Sequence, residues 1–186
     1  PFLLGGEHLV TLGAVRAAVK RFPDLHIVHF DAHADLRSEY LGVSLSHACV
    51  LRRCWELVGD GRIFQFGIRS GDREEFRWGA SHVKTNRFSF EGLEETLRSL
   101  AGQPVYFTVD LDVLDPSVFP GTGTPEPGGV SFDELRRAAT LVCRSANVVA
   151  CDVNELSPPY DPSGNSTAAA CKTVREMLLA LLPEQA

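Results

Sequence analysis

Short apolar segments rich in valine, isoleucine and phenylalanine alternate along this chain with longer amphipathic segments. This alternation is typical of βα units that build a parallel sheet. It predicts strands over residues 1–4, 26–31, 62–68, 105–110 and 148–153, with a short one near 82–84. It predicts helices over residues 11–21, 46–58, 91–100, 131–146 and 166–182. We therefore expect the 186 residues to form one three-layer α-β-α domain with a mainly parallel sheet.

Several helix starts carry their own sequence patterns. Ser131 precedes Glu134 at the spacing of a capping box, and Ser166 or Thr167 is placed to cap the last helix. The charged segment 69–78 is interpreted as a solvated helix start rather than a binding patch.

Composition narrows the classes of partner. Eighteen Lys and Arg against twenty-four Asp and Glu give a net charge of −6, which disfavours nucleic acid and anionic membranes and favours cationic ligands. No apolar run approaches the roughly 18 residues of a membrane span. The five cysteines are odd in number and include no C-x-x-C pair, so no disulfide framework or zinc ribbon is indicated. We expect a cytoplasmic protein.

The stretch "VHFDAHADLR" at residues 28–37 places acids and a histidine at alternating positions just after an apolar strand. Alternate side chains on an extended segment point the same way, so Asp31, His33 and Asp35 are expected to converge. Such a cluster of polar groups beside a hydrophobic core indicates a functional site.

Other predicted strands end in the same manner. "LLGGEH" ends at His8, "VYFTVDLDVLDP" carries Asp110 and Asp112, and the segment after the last strand carries Glu155. In an open α/β sheet, ligands bind beyond the carboxyl ends of the strands. We therefore expect these groups to meet at one edge of the sheet.

Four carboxylates cannot remain ionised at one partly buried edge without cations, because desolvation and mutual repulsion would protonate several of them. Two divalent ions would balance the four charges. Mostly oxygen ligands with two histidines favour Mn²⁺ over Zn²⁺. Paired metals generate hydroxide near neutral pH and stabilise tetrahedral intermediates, so hydrolysis is the predicted reaction type.

The motifs "GGEH", "DAHAD", "SHA", "DLDVLDP", "GTGTPEPGG" and "DVNELSPPYD" occur in this order between residues 5 and 161. In this set the chain resembles the ureohydrolase family, which contains arginases, agmatinases and related amidinohydrolases that bind two manganese ions. The resemblance implies an arginase-like fold. It also implies that this chain is a single catalytic domain over residues 1–186 that lacks the N-terminal region of the family, and that it forms trimers or hexamers.

The resemblance also implies which residues bind the metals. One manganese would be bound by His8, Asp31, Asp35 and Asp110. The other would be bound by Asp31, His33, Asp110 and Asp112, so that Asp31 and Asp110 bridge the pair.

Three catalytic roles follow from the same resemblance. Asp35 would hold a metal-bridging hydroxide by a hydrogen bond, His47 would pass a proton to the departing amine, and Glu155 would anchor the guanidinium of the substrate. A carboxylate suits that last role because it can pair with a planar guanidinium through two hydrogen bonds. Two departures from the family pattern are Glu7 in place of Asp and Ala48 in place of Gly.

Agmatine, hydrolysed to putrescine and urea, is the expected substrate. Residues 36–53, "LRSEYLGVSLSHACVLRR", resemble the agmatinase version and lack the Asn- and Thr-rich stretch of arginases. Guanidinobutyrase, arginase and formiminoglutamase remain alternatives within the family. A zinc deacetylase would have no use for His8 together with Asp35, and a non-catalytic subunit would be expected to lack a ligand or His47.

The remaining polar residues receive structural interpretations. Asp152 is expected to position the strand end, and Thr122 and Thr124 either bond metal-ligand carboxylates or satisfy their own backbone. The histidines without a partner pattern are interpreted as ordinary strand or loop residues: His26, His29 and His82.

Overall fold

The computed structural model describes residues 1–182, which are organised around a six-stranded sheet. The strands are β1 Phe2–Leu4, β2 His26–Phe30, β3 Ile63–Ile68, β4 Lys84–Arg87, β5 Pro104–Asp110 and β6 Asn147–Asn154. Their order across the sheet is β1-β6-β5-β2-β3-β4, and every neighbouring pair is parallel. The predicted parallel sheet is confirmed.

Helices cover both faces of this sheet. They are α1 Val10–Ala18, α2 Val50–Val58, α3 Arg73–His82, α4 Leu93–Ser99, α5 Phe132–Ser145 and α6 Asn165–Leu181. Two hydrophobic clusters result, one packed under α1, α2 and α3 and the other under α4, α5 and α6. The three-layer prediction is therefore confirmed. Within residues 1–182, no helix combines the length and apolar character needed to cross a bilayer.

The central strands are apolar on both sides because both faces of the sheet are covered. In β2, Val28 and Phe30 pack into the cluster under α4 to α6, whereas Ile27 packs into the other. Apolar side chains therefore fall on both faces of the strand, with His29 as a buried polar exception.

Helix α3 was only partly anticipated. The helix start expected within residues 69–78 is present: Asp72 accepts a hydrogen bond from the amide of Glu75, and the Glu75 carboxylate accepts one from the amide of Asp72. The helix continues to His82, so the short strand predicted near 82–84 is displaced and begins at Lys84.

Of the two N-terminal caps predicted for the long helices α5 and α6, one is confirmed and the other is wrong. The predicted capping box of α5 is present, with Ser131 and Glu134 bonding each other's amides. The prediction for α6 was wrong, because neither Ser166 nor Thr167 caps it. Instead Asp161 accepts the Ser166 amide at 2.7 Å, and the Ser166 hydroxyl accepts a hydrogen bond from the amide of Gly121 at 2.8 Å.

The Pro- and Gly-rich segment 113–130 is anchored to the domain at its base. Asp115 accepts hydrogen bonds from the amides of Gly128 and Gly129 at 2.9 and 3.1 Å. Arg69 follows β3 and is buried. Within residues 1–182 its guanidinium donates only to main-chain carbonyl oxygens, those of Gly67, Asp112, Val113, Leu114 and Glu126. The loop is thus held against the carboxyl ends of the central strands.

Candidate metal centre

The predicted site residues come together at the carboxyl edge of the sheet. His8 lies in the loop after β1, Asp31 directly follows β2, Asp110 is the last residue of β5, and Glu155 directly follows β6. These strands are adjacent in the order β1-β6-β5-β2, which brings residues far apart in sequence to one edge.

His8 faces three of the carboxylates. Its Nδ1 atom lies 3.1 Å from Asp31 Oδ2, 3.4 Å from Asp35 Oδ2 and 3.2 Å from Asp110 Oδ2. Its Nε2 atom lies 2.9 Å from the hydroxyl of Thr108. The Nδ1 atom is buried and has no hydrogen-bond partner within residues 1–182.

His33 faces a second, overlapping group. Its Nδ1 atom lies 2.9 Å from Asp112 Oδ2 and 3.6 Å from Asp31 Oδ1. Asp112 is also bonded by the hydroxyl of Thr124 at 3.3 Å and by the amide of Ala32 at 3.1 Å. Asp31 is therefore shared between the two histidine-centred groups.

The alternation of side chains along an extended strand does not explain how Asp35 reaches the site. Strand β2 ends at Phe30, and Asp35 has a φ angle of +54°, in the left-handed region. Its carboxylate nevertheless points at His8. The expectation that Asp31, His33 and Asp35 converge on a common edge is met, but for Asp35 the cause is a left-handed turn rather than an extended backbone.

Burial makes the acids costly to ionise together. The most exposed of the four aspartates, Asp35, retains 6% of its accessible surface. Burial, added to by the charge of Asp31, raises the pKa of Asp35 to about 7. Burial and the charge of Asp112 raise the pKa of Asp110, while burial and the charge of Asp31 raise that of Asp112. Against the lowering effect of burial, hydrogen bonds to the aspartates raise the pKa of His33 to about 12 and raise that of His8, so this edge draws positive charge toward its carboxylates.

The residues present fit divalent cations. An unpartnered buried imidazole nitrogen surrounded by three carboxylate oxygens is a ready ligand position, because its lone pair has no donor to accept from. Two groups of ligand atoms lie close enough to hold a metal within the described residues, His8 with His29 and Asp31, and Asp31 with His33 and Asp112. Oxygen donors predominate, which suits a hard ion.

The two predicted catalytic residues outside the ligand set flank the same pocket. This pocket has a volume of about 180 Å³ and is lined by His33, Asp35, His47, Thr124 and Glu155 among others. His47 is partly exposed, and its Nδ1 lies 3.3 Å from Glu7 Oε1. Glu155 has a φ angle of +67°, and its Oε1 accepts a hydrogen bond from the amide of His8 at 2.7 Å. Burial raises the pKa of Glu155.

Several residues around the site were interpreted differently from the sequence. The interpretation of His29 as a histidine without a partner was wrong, since its Nε2 lies 2.8 Å from Asp31 Oδ2. Thr124 contacts a predicted ligand, Asp112, whereas the hydroxyl of Thr122 has no hydrogen-bond partner among the described residues. His82 pairs with Asp60 at 2.6 Å on the surface.

Asp152 has the positioning environment that was expected. It is fully buried and accepts hydrogen bonds from Tyr106, Thr11 and Asn154. The Thr11 hydroxyl also lies 3.4 Å from that of Thr108, which bonds His8. Asp152 is thus connected to the His8 ring through the hydroxyls of Thr11 and Thr108.

The fold and this site together define the class of protein. The model of the arginase family matches residues 1–180, and the chain belongs to that family, which confirms the resemblance to the ureohydrolases. It is 49% identical over 183 residues to the agmatinase of Bacillus cereus, covering 96% of this chain and 63% of that protein. It is 35% identical over 193 residues to the guanidinobutyrase of Pseudomonas aeruginosa, covering 97% of this chain and 60% of that protein.

A solved structure supports the fold. The agmatine ureohydrolase of Thermoplasma volcanium superposes with a TM-score of 0.85 at 39% identity, covering 97% of this chain and 62% of that one. The arginase-like architecture is therefore confirmed. The chain spans less than two thirds of the length of these relatives.

Proposed function

We propose that residues 1–186 form a single catalytic domain of a two-manganese amidinohydrolase that hydrolyses agmatine to putrescine and urea. The observation that carries this proposal is the convergence of four buried aspartates around His33 and the unpartnered Nδ1 of His8. The 49% identity to an agmatinase supports the choice of substrate.

The metal ligands are assigned as the family resemblance implies. One manganese would be held by His8, Asp31, Asp35 and Asp110, and the other by Asp31, His33, Asp110 and Asp112. Bound as a pair, the ions supply hydroxide from water near neutral pH. The preference for manganese over zinc rests on the excess of carboxylate oxygens.

Glu155 would anchor the guanidinium of the substrate. Its Oε1 is already held by the His8 amide, which fixes the carboxylate plane at the mouth of the metal centre. A Cβ atom built at Gly123 would lie 3.9 Å from Glu155 Oε2, so the loop passes beside this carboxylate. A planar guanidinium can pair with a carboxylate through two hydrogen bonds.

His47 and Asp35 would handle the hydroxide and the proton. Asp35 would accept a hydrogen bond from the attacking hydroxide, which adds to the guanidino carbon. The bond from that carbon to the substituted nitrogen would then break, His47 would give its proton to the departing amine, and the proton of the added hydroxyl would pass to Asp35, which leaves neutral urea. Glu7 would orient the His47 ring, since its Oε1 lies 3.3 Å from the ring Nδ1. The products are urea and putrescine.

The choice between a cationic and an anionic distal group rests on Arg37. Arg37 lines the pocket and could attract the carboxylate of 4-guanidinobutyrate. It is already paired with Glu75 at 3.3 Å and lies 3.7 Å from Asp72. Its charge is therefore neutralised, which favours agmatine. Guanidinobutyrate, arginine and formiminoglutamate are the competing substrates.

Assembly and location complete the proposal. We expect a homo-oligomer, a trimer or hexamer, and the exposed apolar side chains of Leu41, Val43 and Leu45 beside the pocket are consistent with a covered surface. The five cysteines are unpaired, which fits the reducing cytoplasm. Light scattering after gel filtration tests the assembly.

The experiment is urea release by the metal-stripped full chain after addition of Mn²⁺ or Zn²⁺. Agmatine, arginine and 4-guanidinobutyrate are supplied in parallel, and formiminoglutamate is supplied with formamide as the product that is assayed. Asp112→Ala removes a ligand, and Asp133→Ala is the matched control because Asp133 is exposed and pairs only with Arg136 and Arg137 in the described chain. Bound metal is counted in each sample.

Manganese-dependent urea from agmatine, retained in Asp133→Ala and lost in Asp112→Ala, is the expected result. Faster urea release from 4-guanidinobutyrate would transfer the assignment to guanidinobutyrase. No product from any substrate, with two metals bound per chain, would contradict the catalytic proposal.

A further inference from the structure

A line of polar side chains, buried except for the half-buried Thr85, crosses three neighbouring strands and ends at Asp31. His29 on β2 is in register with Gln65 on β3, and Gln65 is in register with Thr85 on β4. The Thr85 hydroxyl donates to Gln65 Oε1 at 2.9 Å, and Gln65 Nε2 lies 3.1 Å from His29 Nδ1. His29 Nε2 lies 2.8 Å from Asp31 Oδ2.

The direction of each hydrogen bond in this line is fixed. Gln65 Nε2 also contacts the carbonyl oxygen of Ala34 at 2.7 Å, and a carbonyl can only accept. The amide nitrogen therefore faces both Ala34 and His29, while the amide oxygen accepts from Thr85. His29 Nδ1 must accept from Gln65, so the ring proton resides on Nε2 and is donated to Asp31.

This arrangement fixes Asp31 from both sides. Oδ2 accepts from His29, and Oδ1 accepts from the amide of His33 at 2.6 Å. His29, Gln65 and Asp31 are completely buried. The bond from Gln65 to Ala34 also holds the loop that carries His33 and Asp35.

Simple packing does not account for these residue types. A buried polar side chain costs free energy unless its groups are hydrogen-bonded, whereas apolar residues would fill the same positions without that requirement. Each member of the line is satisfied by the next, and the line ends on the carboxylate shared by the two histidine-centred groups. The hydrogen-bonded line therefore acts on the Asp31 carboxylate.

We propose that His29, Gln65 and Thr85 are positioning residues that set the orientation of Asp31 and thereby the affinity of the metal centre. This inference rests on the proposed function, in which Asp31 binds both metals. Outer partners of metal ligands typically change affinity or activity by roughly 10- to 100-fold when removed.

The test uses substitutions of similar volume: His29→Phe, Gln65→Met and Thr85→Val, with the double variant of the first two. Manganese dissociation constants are measured by calorimetry on the metal-stripped full chain, at a temperature where circular dichroism shows each variant folded. Thr140→Val and His26→Phe are matched controls. The Thr140 hydroxyl and His26 Nδ1 have no hydrogen-bond partners in the described chain.

We expect each substitution at His29 or Gln65 to raise the manganese dissociation constant about 10-fold, with a smaller rise for Thr85→Val. Gln65 acts on Asp31 through His29 and, separately, on the loop through the Ala34 carbonyl, so adding Gln65→Met to His29→Phe should weaken manganese binding by less than Gln65→Met does alone. A role in packing alone predicts a loss of stability with manganese affinity equal to that of the controls. Affinities equal to those of the controls, or fully additive effects of the two substitutions on affinity, would overturn the inference.

A second measurement does not require metal or substrate. NMR of the histidine ring nitrogens, with His29 assigned by its loss in His29→Phe, should show the neutral ring carrying its proton on Nε2. A proton on Nδ1 would overturn the proposed line. If manganese binds but no substrate yields urea, the proposed reaction is refuted, while the tautomer and the coupled affinities still decide the positioning role.

Discussion

Replacing Arg69 with methionine should destabilise the domain strongly without removing any side chain of the candidate metal site. Arg69 retains only 8% of its accessible surface and forms no ion pair in the described chain. Its guanidinium donates to five main-chain carbonyl oxygens on three segments: Gly67, Asp112, Val113, Leu114 and Glu126.

The magnitude follows from the acceptors that lose their donor. Each buried acceptor left unsatisfied costs about 1–3 kcal/mol, and water can replace the donor where the loop faces solvent. If about half of the five carbonyls keep or regain a partner, as Val113 does through the amide of Val130, the free energy of unfolding falls by about 2.5–7.5 kcal/mol. Arg69→Lys, which keeps the charge but has fewer donors in a different geometry, should lose less.

The assay is urea denaturation followed by circular dichroism. Arg87→Met is the matched control, since Arg87 lies over the rings of Phe76 and Phe88 and makes one long bond of 3.5 Å to the carbonyl of Arg69. This control should lose about 1 kcal/mol or less. An Arg69→Met protein as stable as Arg87→Met, with the same slope against denaturant, would refute the reasoning.

Three further predictions concern the loop and the first helix. Thr124→Val removes the bond to Asp112 and should lower kcat/KM about 10-fold, with Thr122→Val as a control that leaves it unchanged. Hydrogen bonds, chiefly from the Ser117 hydroxyl, lower the pKa of Asp115 to about 2. The ionised Asp115 carboxylate therefore contributes its full stabilisation above the unfolded pKa of about 3.9 and loses it as the pH falls toward 2. The difference in unfolding free energy between the unmodified protein and Asp115→Asn, measured by denaturation at each pH, should narrow over that interval. Gly13→Ala, at an exposed position of α1 where a Cβ meets no atom within 4 Å, should raise the unfolding free energy by about 0.5–1 kcal/mol, and no gain in thermal denaturation would contradict it.

The parallel sheet could be predicted because its evidence is local. Apolar runs with β-branched residues define β2, β5 and β6, and the polar groups at their ends follow from the general position of sites in α/β sheets. Helix α3 was missed as a complete element because its sequence, "REEFRWGASH", has few apolar residues. Its capping box at Asp72 and Glu75 was the available sequence feature.

The surroundings of the site were less predictable because they depend on register between strands. Nothing in one sequence states that His29, Gln65 and Thr85 lie side by side, since that follows only from how β2, β3 and β4 are aligned. The left-handed backbone at Asp35 was equally hidden, because an aspartate in a predicted extended segment gives no sign of positive φ. Family motifs identified Asp35 where alternation gave the wrong geometric reason.

The wide spacing of the site residues along the chain has a consequence for folding kinetics. His8, Asp31 and Asp110 come from strands separated by up to about a hundred residues, and they meet only when β1, β6, β5 and β2 have assembled. The ligand geometry is therefore a late product of folding. Metal binding should slow unfolding of the assembled chain far more than it accelerates folding, so its benefit would be measured as persistence of the native state.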